Sequence, residues 1–225
     1  DIFDTLIVGS KTSTGAIRRP RDNAPVHDVN SDKIRCNQDL IAATEVVSVT
    51  AGSRVGFSLD TGTAKTVFHQ GPAAMYLGKA PGDVRKWDGS GASWFKIAHW
   101  GAVFQPKFTF IAFAEKEFYA DIPASVPSGE YLLRIEHVGL HLTGQPEFFI
   151  SCAQIKITSG GTGTPSYVSI PGYVSKTDPG LMVDIYWPVP TSYTVSLQDP
   201  TLCKKLTSRR YLDQPHTEVK LRRAA

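Results

Sequence analysis

The stretch CAQIKI, residues 152–157, sets Ile155 and Ile157 on one face of an extended chain and Gln154 and Lys156 on the other. Successive side chains of a strand point to opposite faces, so this period of two predicts a half-buried antiparallel strand. Seven further runs rich in Val, Ile, Phe and Tyr, at 2–8, 44–49, 55–59, 73–77, 108–113, 131–138 and 183–187, lie between clusters of Gly, Pro, Asp and Ser. That punctuation belongs to strands rather than helices, and it predicts an all-β sandwich with long loops.

The 225 residues, 41% hydrophobic and 20% charged, suffice for one sizeable core. The formal charge of +3 is an effect of the C-terminus: residues 196–225 carry seven Lys/Arg against three Asp/Glu, which leaves 17 against 18 in the rest. The body is therefore no basic surface, and nucleic acid is not an expected partner. No apolar run reaches the length of a membrane span and no signal-like segment opens the chain, so the expectation is a soluble protein already free of any export signal. Cys36, Cys152 and Cys203 form no close-spaced zinc pattern. One long-range disulfide with an odd thiol, and three buried free thiols, are both compatible with the spacing; the former would favour an oxidising compartment.

Segments 11–37 and 78–106 read as long loops, and SGGTGTP at 159–165 reads as a turn, since no helix follows to present backbone N–H groups to a phosphate. Beyond Tyr193 large apolar residues thin out. The expected division is one domain over 1–195 and a basic, poorly ordered tail over 196–225.

Chemistry-bearing candidates are few. His69 stands in FHQGP, and His137 and His141 are four residues apart; on a strand at roughly 3.3 Å per residue they would lie about 13 Å apart, too far for one ion. No Gly-x-Ser-x-Gly elbow exists, and Glu130, Glu136 and Glu147 could make a glycosidase pair only if the fold set two of them at the required separation. Aromatics gather late, at Tyr167, Tyr173, Tyr186, Trp187 and Tyr193. Such rings stack on pyranose faces when exposed. Tyr186 is expected to point inward from a strand, and Tyr193 to be exposed.

Five blocks carry a resemblance: FHQGPAAMYLGK (68–79), WFKIA (94–98), IPASVPSGEYLLRIEHVGLH (122–141), FFISCAQIKITSGGTGTP (148–165) and PGYVSKTDPGLMVDIYWPVPTSYTV (171–195). In this order and spacing the chain, from about residue 2 to 195, resembles the fungal copper-dependent lytic polysaccharide monooxygenases of auxiliary activity family nine, formerly glycoside hydrolase family 61. The resemblance implies a secreted, monomeric immunoglobulin-like or fibronectin-like antiparallel β-sandwich with a flat face for cellulose, xylan or another β-glycan of the plant cell wall. It implies a Cys36–Cys152 disulfide. It also implies copper held by an N-terminal histidine, through amine and ring, together with the histidine matched by His69.

Several positions depart from that pattern. Family chains open His-x-x-Phe, whereas Asp1-Ile2-Phe3 opens this one, so the family's histidine would stand one residue before Asp1. Asp1, through its amine and carboxylate, would be a weak substitute beside His69. The axial tyrosine becomes Phe149, and the glutamine that orients bound oxygen becomes Glu147, while the neighbouring histidine is kept as His141 and the flat-face tyrosine as Tyr193. The leading expectation is a scaffold with an incomplete histidine brace and no oxidative cleavage, which still binds cell-wall glycan. The alternatives are an active copper monooxygenase whose histidine precedes Asp1, and a copper-handling or interaction protein at the cell wall.

Overall fold

The computed structural model describes residues 1–60 and 65–194. The expected tail at 196–225, with Cys203, lies outside the described residues. Two sheets face each other. The smaller holds, in order, Glu117–Asp121, Arg54–Ser58, Thr5–Val8 and Lys11–Ser13, all antiparallel. The larger runs Val168–Ser169, Ala92–Trp100, Ala73–Lys79, Gly129–Gly139, Glu147–Thr158, Ile17–Pro20 and Leu40–Ile41, with Val47–Thr50 added parallel to Glu147–Thr158. The fold is thus the expected all-β sandwich; its short α-helix, Pro179–Met182, lies in the late loops.

Leu6, Phe57 and Phe118 from the small sheet meet Met75, Leu133, Ile135, Ile155 and Ile157 from the large one, and these form the core between the sheets. A second apolar cluster, with Ile34, Tyr76, Trp94, Leu132, Ile150 and Tyr173, covers the outer face of the large sheet beneath the loops. This corrects the half-buried reading of residues 152–157. Lys156 is exposed as alternation requires, but Gln154 is buried, its Oε1 accepting from Arg18 Nε (3.2 Å) and its Nε2 donating to the carbonyl of Glu45 (3.0 Å). A buried amide is tolerable when both ends find partners.

The long loops also prove more ordered than their composition suggests. Lys11–Ser13 and Ile17–Pro20 fall within the first and Ala92–Trp100 within the second, each paired to a neighbour that supplies the missing half of its ladder. Residues 183–187, by contrast, form no strand. Oδ1 of Asp184 accepts from the N–H groups of Tyr186 (2.8 Å) and Trp187 (3.1 Å), and Pro188 and Pro190 cannot donate to a ladder. Tyr186 consequently turns outward, 58% exposed, beside Trp187 at 82%.

Cys36 and Cys152 are bonded, tying the loop before Asn37 to the middle of a central strand across a separation of 116 residues. Closing a loop of that order removes roughly 4–5 kcal/mol of unfolded-state entropy in the chain-entropy account. Beside it Arg134 donates to the carbonyls of Ile34 and Arg35, at 2.8 and 2.7 Å.

Candidate functional site

The site is assembled by the hairpin of Gly129–Gly139 and Glu147–Thr158. Its register sets His137 opposite Phe149 and Gly139 opposite Glu147. The turn beyond Gly139 returns His141 to the same end. The His69 segment is clamped there by two backbone bonds, from Val138 N to the carbonyl of Pro72 (2.9 Å) and from Leu140 N to that of Gln70 (2.8 Å). Gly71 makes this approach possible: a Cβ there would stand 1.7 Å from the carbonyl oxygen of Val138.

The rings of His69 and His141 stack at 4.2 Å, Phe149 lies against the rings of His69 (5.2 Å) and His137 (6.0 Å), and Phe68 tilts onto His69 at 3.9 Å. Nε2 of His141 is 3.7 Å from Oε2 of Glu147. His69, His141 and Glu147 each offer a potential ligand atom within 4.8 Å of the others. His137 belongs to no such group among the described residues, and since the strand ends at Gly139 the premise that His137 and His141 share one strand does not hold.

Asp1 is drawn into the same cluster. Its amine donates to Oδ1 of Asn23, and its buried carboxylate lies 2.9 Å from Nδ1 of His137 and 3.9 Å from Nδ1 of His69. Both carboxylate oxygens of Asp1, both ring nitrogens of His137, and Nδ1 of His69 and His141 are buried without a well-aligned hydrogen bond. So many orphaned polar atoms in one place are unusual, because buried polar groups are ordinarily satisfied.

Burial governs the protonation of the cluster. It lowers the Asp1 amine from 8.0 to about 4, against a smaller opposing pull from Glu147. It lowers His69 to about 4, helped by His141, and His137 to about 3, helped by the charge of the amine. At neutral pH these nitrogens are therefore uncharged and retain lone pairs. Neutral amine and imidazole donors with nearby carboxylates suit a divalent first-row ion such as copper.

The remaining candidates disperse. Glu130 accepts from the N–H of Val84 (2.7 Å), and Glu136 is buried with Arg134, so neither joins Glu147 in a glycosidase pair. Tyr193 is half-buried, its ring edge-on to Phe110 at 5.0 Å and its hydroxyl donating to the carbonyl of Gly180 (2.9 Å). His137, Asn23 and the Asp1 carboxylate were missed as a unit by sequence reasoning; the available signal was a lone histidine inside the apolar strand run 131–138.

Fold and site together define a β-sandwich with a histidine-centred polar site at one end of its central hairpin. The chain belongs to Auxiliary Activity family 9 (formerly GH61), whose model matches residues 1–193. It is similar to AA9 family lytic polysaccharide monooxygenase C of Emericella nidulans, 41% identical and covering 86% of this chain and 87% of that protein. Monooxygenase H of Malbranchea cinnamomea is 44% identical over 76% of each. Among solved structures, a cellulose-active polysaccharide monooxygenase from M. thermophila superposes with a TM-score of 0.74 at 28% identity, covering 86% of this chain and 95% of that one. The family's enzymes are copper-dependent, secreted by fungi and act on plant cell-wall polysaccharides such as cellulose.

Proposed function

We propose that this chain keeps the family's scaffold and binds plant cell-wall β-glycan, such as cellulose or xylan, but does not cleave it oxidatively. The observation that carries this reading is Glu147, 3.7 Å from His141 and within ligand reach of His69. An amide at this position could donate a hydrogen bond to an incoming oxygen species; an ionised carboxylate only accepts. Phe149, stacked against His69, would add to the effect, because by the family resemblance a hydrocarbon ring stands where the family has a tyrosine oxygen.

Copper, which supplies one-electron redox chemistry when bound, would be held here by His69 with the Asp1 amine. His141 and Glu147 are close enough to contribute. An anionic oxygen donor favours the oxidised, harder ion over the reduced one, so Glu147 would oppose the reduction on which cleavage depends. On the outside, Trp187 and Tyr186 offer ring faces suited to sugar stacking, and Phe68 exposes an apolar edge beside His69. The Cys36–Cys152 bond supports an extracellular place of work, and monomer is the expected state.

The test is incubation with phosphoric-acid-swollen cellulose and with xylan, copper and ascorbate being supplied, using the chain as it stands and a form with a histidine ahead of Asp1. Glycan binding without aldonic or ketoaldose oligosaccharides is expected from both. Oxidised products from the chain as it stands would overturn the proposal; products from the extended form alone would shift the cause from Glu147 and Phe149 to the residue preceding Asp1.

A further inference from the structure

The Asp1 carboxylate and the His137 ring are not donors in the reading above, yet both side chains are fully buried. A carboxylate withdrawn from water is costly unless it is paired and hydrogen-bonded. The two groups facing its oxygen Oδ2 are Nδ1 of His137 at 2.9 Å and Nδ1 of His69 at 3.9 Å. None of these atoms has a well-aligned hydrogen-bond partner among the described residues, so proximity and charge are what link them. The carboxylate therefore stands between two ring nitrogens of the same kind, one on a rigid central strand and one on the clamped segment before Gly71.

We propose that Asp1, anchored by His137, is a positioning residue for His69: its carboxylate, 3.9 Å from Nδ1 of that ring, favours by its charge the tautomer with the proton on Nδ1 and becomes its acceptor when the ring closes the gap, so the lone pair is left on Nε2, the atom that would meet a metal. His137 gives the carboxylate a fixed place, because the strand that carries it is paired on both sides, to Ala73–Lys79 and to Glu147–Thr158. Which nitrogen of an imidazole carries the proton is set by the partner of the other nitrogen, and carboxylates commonly do this beside metal-binding histidines. The inference rests on the reading of His69 as the donor, but it is stated for the metal-free chain and can fail separately.

The experiment is nitrogen-15 NMR of the His69 ring at neutral pH in the metal-free protein, for the parent, Asp1→Ala and Asp1→Asn. The parent is expected to hold the proton on Nδ1. Asp1→Ala should lose that preference, and Asp1→Asn, which still accepts through its amide oxygen, should restore most of it. Copper titration of the same three proteins should show about 10–100-fold weaker binding in Asp1→Ala alone. A parent with the proton on Nε2, or a His69 tautomer indifferent to Asp1→Ala in a protein whose fold is intact by circular dichroism, would overturn the inference. Absence of copper binding in all three, with the tautomer behaving as expected, would instead count against His69 as a copper donor.

Discussion

Nη2 of Arg134 lies 2.7 Å from Oε2 of Glu136, and both side chains are wholly buried on the outer face of the large sheet. The hydroxyl of Tyr173 also donates to that oxygen, at 2.6 Å, so one carboxylate joins a central strand to the loop at 173 while its guanidinium partner holds the backbone beside Cys36. Removing one member of a buried pair strands the other charge. Glu136→Ala should therefore cost about 3–5 kcal/mol in urea unfolding, with Glu136→Gln, which keeps an acceptor, costing distinctly less. Equal losses in the two variants would mean that the charge, which both remove, holds this corner, rather than the packing and the acceptor that Gln keeps.

Gly71 should tolerate no side chain. With a Cβ only 1.7 Å from a backbone carbonyl of the strand Gly129–Gly139, Gly71→Ala must push the His69 segment away from His141. Lowered thermal stability together with weakened copper binding is the expected result, read by calorimetry on one preparation.

Stability should fall as the solution is acidified through the histidine range. Burial lowers His137 from 6.5 to about 3 and His69 to about 4, so between those values and 6.5 the unfolded chain takes up protons that the folded chain refuses. The folded state is fully stable with respect to these groups above about pH 6.5 and loses stability progressively as pH drops toward 3. Urea midpoints at intervals from pH 7.5 to 5 should show a clear downward slope. His137→Leu should flatten it; an unchanged slope in that variant would assign the effect to other groups.

Trp187 is expected to matter for glycan and not for folding. At 82% exposure it can be removed with little packing loss, whereas a stacked ring contributes about 0.5–1.5 kcal/mol. Trp187→Ala should weaken retention on swollen cellulose about 2–10-fold with the unfolding midpoint within a degree or two of the parent. Tyr193→Ala should behave in the opposite way, with a marked fall in stability, because its ring packs on Phe110 and its hydroxyl holds the carbonyl of Gly180.

The β-sandwich was legible in the sequence because strand character is local: period two at 153–157 and the apolar run at 131–138 are properties of consecutive residues, and both became central strands. Family membership was legible from blocks such as FHQGP and FFISCAQIKI, and with it the pairing of Cys36 and Cys152 that spacing alone left open. Gln154 was misread because a loop more than a hundred residues earlier in the chain covers its face, and Tyr186 because Asp184 captures the two N–H groups a strand would have needed.

What the sequence determined by itself was therefore the alternation of its strands, its family and the identities at 69, 141, 147 and 149. Only the tertiary structure decided that Asp1 lies against His137 and His69, that Glu136 belongs to Arg134 rather than to Glu147, and that Trp187 faces solvent. The reason is physical: side-chain direction along a strand follows from the backbone two residues at a time, whereas contacts between distant segments depend on sheet register and loop closure.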